Sequence, residues 1–403
     1  GWRRAPFRAV GAAGGRAAAT AEPARNFALS RHGQSAYWPG MTNAPYPVIR
    51  LRPKVQDRAI RHGAPWVFDN EIVTDRRTKA LAPGTIAVLE DAERAPLGLV
   101  AVNPASRIMA RMLDRDAGAT IDAAWIAARI TRALELRAQL FDAPYYRLVH
   151  AETDGLPGVV IDRFDDIAVI QPNAAWAEML LPDLTEAVQQ VTGVGTVLKN
   201  AGGRARGLEG LDGENAVLAG SAPDAPVPVP MNGATYLADL TSGQKTGLYF
   251  DQRPNHAFAA GLAQDARVLD VFAHVGGFSL AALSAGAKHA TAVDGSAPAL
   301  DLARDGAART GVGDRFETRR GDAFEMMESL SAEGAQFDLV ICDPPAFAPS
   351  KPALEKGLRA YERVARLAAG LVAPGGYLGL CSCSHAVDLA RFRTACTRGV
   401  GRA

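Results

Sequence analysis

The stretch "GGYLGLCSCSHAV", residues 375–387, places Cys381 and Cys383 one residue apart at the end of an apolar run. In an extended strand, side chains two residues apart point the same way and lie about 6.6 Å apart. A disulfide needs Cβ atoms about 3.5–4.5 Å apart, so we do not expect this pair to form one. The chain contains no CxxC pair, so no structural zinc site is expected either. Burial in a core and a role as a nucleophile remain open.

The positions of the four cysteines help to separate these two interpretations. Free cysteine is among the most buried residue types, which suits Cys342 and Cys381 within apolar runs and Cys396 on the final predicted helix. Cys383 instead ends the fifth predicted strand, beside the stretch "VICDPPAFAPSK". The two prolines there predict a stiff, extended exit that holds Asp343 towards a substrate; a simple strand-ending turn is the alternative.

A cysteine thiolate at this position could activate a pyrimidine ring. Carbon 5 of a pyrimidine is a poor nucleophile. A thiolate that adds to carbon 6 makes carbon 5 nucleophilic towards a sulfonium methyl group, and a base then removes the carbon-5 proton and expels the thiol. In methyltransferases that act on exocyclic amines, an aromatic residue follows Asp-Pro-Pro directly. Here Ala346 precedes Phe347, so the spacing argues against that class.

Alternating strands and helices are predicted to position these residues. The strands lie within "RVLDVFA", "HATAVDG", "FETRRGD", "FDLVICD" and "GYLGLCS", with helical stretches between them. This order predicts an α/β fold with a doubly wound parallel sheet. In such a sheet, ligands bind outside the carboxyl ends of the strands.

Acidic residues at successive strand ends indicate a nucleoside site. The first strand runs into "LDVFAHVGGFSL", with Asp270 before the turn and Gly276–Gly277 opening a helix. Asp294 ends the second strand, where it could accept hydrogen bonds from both ribose hydroxyls. Asp322 follows the third strand, where it could meet an adenine amino group or simply cap a helix. Such a site without a phosphate loop fits S-adenosylmethionine better than NAD or ATP.

The composition of the 403-residue chain is that of an ordinary soluble protein, with 48% hydrophobic and 22% charged residues. No apolar run approaches the roughly 18 residues of a membrane span, so no membrane partner is expected. Four cysteines in a chain of this length favour a reducing compartment, the cytoplasm. Residues 1–40 could imitate an Arg-rich transit peptide. We interpret residues 1–47 as a disordered or non-native extension, with Met41 as the true start.

Short β-type runs between residues 48 and 116 predict a small β-rich unit, and residues 121–141 have the apolar spacing of a helix. "LPGVVIDRFDDIAVIQ" predicts a β-hairpin, followed by a helical stretch near residues 176–191. The segment from Val48 to Arg115 carries 12 Lys/Arg against 8 Asp/Glu. This local excess suggests a docking surface for a polyanion, and an ordinary solvated face fits the charge equally well.

Several separate motifs, in the right order, resemble bacterial large-subunit ribosomal RNA cytosine-5 methyltransferases with an N-terminal PUA RNA-binding domain. The motifs are "RHGAPWVFDNEI", "LGLVAVNPASRIMARML", "DGLPGVVIDRF", "SGQKTGLYFDQRPN", "VLDVFAHVGGFSL", "CDPPAFAPSK" and "CSCSH". The resemblance implies a PUA-like domain over residues 48–116 and a linker helix with a central α+β domain over 117–235. A Rossmann-like class I methyltransferase domain over 236–403 follows. The resemblance further implies ribosomal RNA as the partner and no bound metal, and a homodimer is one expected assembly.

The resemblance also implies roles for individual residues. Cys383 would be the nucleophile, and Asp343 would hydrogen-bond or protonate the cytosine ring. "GQKTGLYFDQR" would cover the cofactor or act as a linker, with Gln244, Lys245, Thr246 and Gln252 near it. The residues expected to bind S-adenosylmethionine are Asp270, Phe272, Gly276, Gly277, Asp294, Asp322, Gln244 and Thr246. Those expected to bind RNA are Arg50, Arg52, Lys54, Arg58, Arg61 and Phe347.

Two features depart from the family pattern. Many RNA cytosine-5 enzymes have a second cysteine directly after the Asp-Pro-Pro-type motif for product release, and here that residue is Ala346. Only 20 residues follow Cys383, which leaves no room for the usual antiparallel hairpin beyond the fifth strand. We therefore expect a truncated C-terminus and an exposed sheet edge.

Two other functions fit parts of the sequence. A related scaffold could methylate a ring nitrogen such as guanine N7, and that chemistry needs no cysteine. A non-catalytic RNA-binding or ribosome assembly factor could retain the fold. The presence of Asp270, Asp294, Asp343 and Cys383 argues against the second of these alternatives.

Overall fold

The predicted β-rich unit is a five-stranded sheet in the computed structural model, which describes residues 46–241 and 247–403. Its elements are β1 (Val48–Arg50), α1 (Arg58–Arg61), β2 (Trp66–Val67), α2 (Arg76–Lys79), β3 (Thr85–Glu90), β4 (Pro96–Val102) and β5 (Ala110–Asp114). The strand order is β1-β3-β4-β5-β2, and apolar side chains such as Ile49, Leu89 and Val100 form its core. Residues 1–45, most of the predicted extension, lie outside the described residues.

The predicted helix over residues 121–141 is confirmed as α3 (Ala123–Leu140). Asp122 caps it by accepting a hydrogen bond from the backbone N–H of Trp125, 2.8 Å away. Ile126, Ile130 and Ala133 are buried on one face, as the helical spacing requires.

A second five-stranded sheet, in the order β10-β9-β8-β7-β6, follows this helix within the described residues. Its elements are β6 (Tyr145–His150), β7 (Val159–Phe164), β8 (Ile167–Pro172), α4 (Ala175–Met179), α5 (Leu181–Thr192), β9 (Thr196–Lys199), α6 (Arg204–Leu208) and β10 (Ala216–Ala219). The predicted hairpin is β7–β8. The helical stretch near residues 176–191 is two helices, because Pro182 lies in the first turn of α5 and begins a new helix after Leu180.

A hairpin of β11 (Val227–Met231) and β12 (Ala234–Ala238) precedes the predicted catalytic part of the chain. Its buried Val229 and Tyr236 pack in the same core cluster as Phe278. The predicted boundary between residues 235 and 236 falls within β12 and would divide this hairpin. We therefore propose that the C-terminal unit begins no later than Val227.

The predicted doubly wound sheet is confirmed in topology. Its strands are β13 (Arg267–Val271), β14 (His289–Asp294), β15 (Phe316–Arg320), β16 (Phe337–Cys342) and β17 (Val372–Leu380). Within the described residues they are all parallel, in the order β15-β14-β13-β16-β17. The chain order reverses between β13 and β16, so a crevice is expected at the carboxyl ends of these two central strands.

Helices cover both faces of this sheet. They are α7 (Arg253–Ala260), α8 (Gly277–Ser284), α9 (Ala297–Thr310), α10 (Ala323–Ala332), α11 (Leu354–Gly370) and α12 (Leu389–Val400). Strand β17 pairs only with β16 among the described residues, so it forms an edge of the sheet, as expected. None of the helices in the described ranges combines the length and apolar character needed to cross a membrane.

Candidate active site and cofactor site

Asp343 and Cys383 leave neighbouring strands at the carboxyl edge of the sheet. Cys342 pairs with Leu380 at the ends of β16 and β17, and the Cys381 N–H donates to the Cys342 carbonyl at 2.9 Å. The Cys383 Sγ then lies 3.8 Å from the carbonyl oxygen of Pro344, the residue after Asp343. Cys383 is exposed and lies in the loop beyond β17 rather than at the strand end. The structure therefore brings the predicted nucleophile beside the Asp-Pro-Pro exit.

The other three cysteines have environments that suppress thiolate formation. None of the four cysteines, all of which lie in the described ranges, forms a disulfide, and Cys342 is completely buried. Burial raises the pKa of the Cys342 thiol above its ordinary value, that of Cys381 to about 12, and that of Cys396 to about 11. At neutral pH these thiols are protonated, which supports the interpretation of all three as packing residues.

One amide side chain donates a hydrogen bond to the carboxylate of Asp343, and a second amide orients the first. The Gln252 Nε2 donates to Asp343 Oδ2 at 2.7 Å, and the Asn255 Nδ2 donates to Gln252 Oε1 at 2.6 Å. Because Gln252 Oε1 accepts from Asn255, the amino end of the Gln252 amide faces Asp343. Gln252, predicted to lie near the cofactor, therefore contacts the predicted catalytic acid directly.

Tyr249 is a residue of this site that the sequence did not single out. Burial raises the pKa of its phenol, and nearby negative charge on Asp251, Cys383, Asp343 and Asp294 raises it further. Its ring packs edge-on against His274, with centroids 5.2 Å apart. Tyr249 thus lies within electrostatic reach of both the reaction residues and the ribose-binding candidate.

Asp270 is completely buried beneath the loop that follows β13. Its Oδ2 accepts from the Ser279 N–H at 2.9 Å and from the Ser279 hydroxyl at 3.0 Å. Its Oδ1 has no hydrogen-bond partner in the described part of the chain. Burial, helped by the charges of Asp343 and Asp294, raises the pKa of Asp270 to about 7 against the hydrogen bonds from Ser279.

The loop between β13 and α8 has an unusual backbone. Phe272, His274 and Gly276 have φ angles of 66°, 50° and 77°, a region that residues other than glycine rarely adopt. Gly277 has no room for a side chain, because a Cβ there would lie 2.5 Å from the His256 ring. Strained backbone of this kind concentrates at ligand-binding sites, so its position supports the prediction for Phe272, Gly276 and Gly277.

Asp294 and Asp322 have different surroundings. Asp294 accepts from two backbone N–H groups, with its Oδ2 2.8 Å from His274 N and its Oδ1 2.8 Å from Ser296 N. This fixes the carboxylate at the end of β14. Asp322 Oδ1 caps α10 by accepting from Phe324 N and Glu325 N, which confirms the alternative interpretation of that residue. Its contact with adenine stays a prediction.

The group of residues at this edge fits an S-adenosyl nucleoside. The carboxylate of Asp294 is an oriented acceptor for ribose hydroxyls beside the left-handed loop, and the unpartnered Oδ1 of Asp270 lies buried beneath that loop. Residues 242–246 lie outside the described residues, so the predicted contacts of Gln244, Lys245 and Thr246 lie there as well.

Phe347, predicted to contact RNA, packs among aromatic residues. Its ring centroid lies 5.0 Å from that of Tyr361, 6.2 Å from that of Phe324 and 6.3 Å from that of Phe272. The partly buried ring packs against a core cluster that includes Val340 and Val364. This packing favours a structural role over an RNA contact.

The five basic residues predicted to bind RNA divide into two groups. Arg50 pairs with Glu90, Arg61 pairs with Asp57 and Asp91, and the Arg52 Nε donates to the Ile72 carbonyl at 2.8 Å. The exposed Lys54 and Arg58 have no ion pair among the described residues, so their charges are the more available of the set.

Sequence reasoning missed Tyr249, Asn255, Tyr361, Ser382 and Ser384. All five lie inside or close to motifs that the sequence did single out, and Tyr361 lies on α11 between two of them. Residue type and spacing gave no signal for Tyr361 and the two serines, because Tyr361 bonds to residues 21 and 23 positions away and Ser384 bonds to Ala348, 36 positions away. Asn255 bonds to nearby Gln252, but its place in the site depends on the distant pair of Gln252 and Asp343.

Comparison with known proteins identifies the two terminal parts of the chain. Residues 213–397 match the family model of S-adenosylmethionine-dependent methyltransferases, and residues 49–115 match a PUA-like domain. A solved structure, described in its title as a putative S-adenosylmethionine-dependent methyltransferase from Streptococcus mutans, has a TM-score of 0.74 at 16% identity, over 88% of this chain and 91% of its own. A methyltransferase structure complexed with S-adenosylhomocysteine gives the same score and identity, over 89% and 91%. At this identity the likeness shows the fold.

Closer relatives come from curated sequences. The chain is 37% identical to ribosomal RNA large subunit methyltransferase I of Alteromonas mediterranea, over 83% of this chain and 85% of that protein. It is 35% identical to the protein of the same name from Shewanella denitrificans, over 86% and 87%. S-adenosylmethionine is thus the cofactor, as the acidic strand ends predicted. The chain belongs to the family of S-adenosylmethionine-dependent methyltransferases that includes ribosomal RNA large subunit methyltransferase I.

Proposed function

We propose that this protein methylates carbon 5 of a cytosine in large-subunit ribosomal RNA, with Cys383 as the nucleophile and Asp343 as its partner. The relatives' names support ribosomal RNA as the substrate. The observation that carries the cysteine chemistry is the 3.8 Å separation between Cys383 Sγ and the Pro344 carbonyl, next to Asp343. An exposed thiol beside an oriented carboxylate is not required for attack by a ring nitrogen.

In this mechanism Cys383, as the thiolate, forms a bond to carbon 6 of the cytosine. Electrons of the 5,6 double bond move to carbon 5, and Asp343 hydrogen-bonds or protonates the ring to stabilise the charge that develops there. When bound, S-adenosylmethionine supplies an electrophilic methyl group for carbon 5. A base then removes the carbon-5 proton, the double bond re-forms, and the thiolate of Cys383 leaves. Gln252 holds the Asp343 carboxylate in place throughout.

RNA that contains 5-fluorocytosine tests this proposal with the protein and S-adenosylmethionine. Fluorine at carbon 5 blocks the final elimination, so we expect a protein–RNA adduct that survives denaturation and migrates as one species on a gel. Digestion of unmodified RNA after the reaction should yield 5-methylcytosine. Methyl transfer without an adduct would move the assignment to a ring nitrogen. Failure to bind S-adenosylmethionine would revive the non-catalytic assembly factor.

Lys54 and Arg58 test the proposed RNA surface. Replacing both by alanine should weaken RNA binding about 10-fold near 0.1 M salt, because each phosphate contact adds about 0.7–0.9 to the slope of log affinity against log salt. We expect that slope to fall by about 1.5 in a filter-binding titration. The control, Lys288→Ala with Arg309→Ala, removes the same charge near the amino ends of the sheet strands. Equal losses in both double variants would refute a localised surface.

A further inference from the structure

The hydroxyls of a tyrosine and a serine connect the two loops of the proposed active site. The Ser382 hydroxyl donates to the Tyr361 hydroxyl at 2.8 Å, and the Tyr361 and Ser384 hydroxyls are hydrogen-bonded at 2.8 Å. Ser384 Oγ also accepts from the backbone N–H of Ala348 at 3.0 Å. Ser382 and Ser384 flank Cys383, and Ala348 belongs to the loop that begins at Asp343. The network therefore ties the cysteine loop to the aspartate loop.

The part of this network formed by Tyr361, Ser384 and Ala348 is buried, and the tyrosine ring is packed on two sides. Tyr361 is 2% exposed and Ser384 is 6% exposed, so water does not compete strongly for these hydrogen bonds. The ring of Tyr361 packs against Phe347 on one side and edge-on against Phe392 on the other, each with centroids 5.0 Å apart. Rotation of the tyrosine is thereby restricted, and the hydroxyl keeps one position.

Helix α11 brings Tyr361 to this point through a close approach. Gly357 lies one turn before Tyr361 on the same face of the helix. A Cβ at Gly357 would lie 2.6 Å from Ala348 Cβ and 3.0 Å from Ala348 N. A residue with a side chain there would push the aspartate loop away from the helix. The face of α11 formed by Gly357 and Tyr361 thus contacts both loops, with Gly357 against the aspartate loop and the Tyr361 hydroxyl bonded to the cysteine loop.

We infer that Tyr361 is a positioning residue, whose hydroxyl sets the separation between Cys383 and Asp343 through Ser384 and Ala348. The inference rests on the proposed function, in which the thiol and the carboxyl act on the same base. Two loops that leave adjacent strands can shift independently unless a group fixes them to each other. A shift of about 1 Å at reacting groups can cost about 100-fold in rate.

Tyr361→Phe tests the inference, because it removes the hydroxyl and keeps the ring. The rate of adduct formation with 5-fluorocytosine RNA, measured in a single turnover, should fall ~100-fold. Affinity for S-adenosylmethionine, measured by calorimetry, and the KM for RNA should stay within twofold. Tyr361 contacts Phe347, Phe392 and the two serines, and none of these is expected to bind the cofactor. A loss that appears equally in cofactor affinity would indicate general loosening of the fold and overturn the inference.

A second variant and a control separate positioning from stability. Ser384→Ala breaks the same connection at another atom, so the double variant should be no slower than the slower single variant, whereas independent effects would multiply. Tyr377→Phe, a matched change at a tyrosine that is 54% exposed on β17, should leave the rate unchanged.

The failures of the two proposals are distinguishable. Adduct formation at the wild-type rate in Tyr361→Phe would overturn the inference and leave the proposed function standing. Methyl transfer without an adduct in the wild type would overturn the proposed function. The rate of that methyl transfer in Tyr361→Phe would then decide whether the hydroxyl positions the Asp343 loop.

Discussion

Replacing Cys383 by alanine is expected to lower methyl transfer to RNA by at least ~10⁴-fold and to abolish the 5-fluorocytosine adduct. Removal of a covalent nucleophile from an assembled site commonly has effects of this size or larger. Without the thiolate, carbon 5 of cytosine stays a poor nucleophile, so the intact cofactor site cannot compensate. Affinity for S-adenosylmethionine should not change. The measurement is single-turnover transfer of a radiolabelled methyl group.

Cys381→Ala provides the matched control for this prediction. The two cysteines are separated by one residue, yet burial raises the pKa of the Cys381 thiol to about 12, while Cys383 is exposed beside Pro344. We expect Cys381→Ala to retain transfer within a few-fold, with some loss of stability from its packing. If Cys383→Ala retained transfer instead, the thiol would be a surface residue and the ring-nitrogen alternative would apply.

The sheet and the position of Cys383 followed from the sequence because both depend on local signals. Apolar strands that alternate with helices imply parallel strands, and parallel strands place their carboxyl ends at one edge. Asp343 and Cys383 each follow a strand, and chain order makes those strands β16 and β17 neighbours. No knowledge of side-chain packing is needed for that step, so the sequence alone predicts that the two residues lie close together.

The contacts that orient these residues could not be predicted in the same way. Gln252 reaches Asp343 across 91 positions, and Ser384 reaches Ala348 across 36. Such pairs depend on how the helices pack against the sheet, and the periodicity of apolar residues in the sequence does not determine that packing. The same limit explains Phe347, whose spacing after Asp-Pro-Pro carries no information about the aromatic residues that surround it. The place of Asp343 and Cys383 at one edge of the sheet could be predicted from the sequence. The residues that orient them could not be predicted.

Asp270→Asn is expected to stabilise the fold, by an amount that increases as pH rises from 5 to 8. The pKa of Asp270 is raised from 3.8 to about 7, chiefly because the carboxyl is buried. The folded state therefore binds the proton more tightly than the unfolded state does, and stability falls as pH rises from about 4 through about 7. Asparagine keeps an acceptor for Ser279 and carries no charge. The difference in free energy of unfolding between the variant and wild type should therefore grow by about 2–3 kcal/mol in favour of the variant from pH 5 to pH 8.

Scanning calorimetry at several pH values measures this gain, and the transition that moves identifies the C-terminal unit. Asp338→Asn is the control of opposite sign. The backbone N–H and guanidinium of Arg267 lower the pKa of the partly exposed Asp338, so its stabilising effect is present at neutral pH and is lost as pH falls. A stability difference for Asp270→Asn that stays constant with pH would show that Asp270 does not titrate as a buried acid. We also expect Asp270→Asn to bind S-adenosylmethionine more weakly than wild type. An unpartnered buried oxygen such as Asp270 Oδ1 destabilises the fold, so its presence at the proposed cofactor site indicates a role in ligand binding.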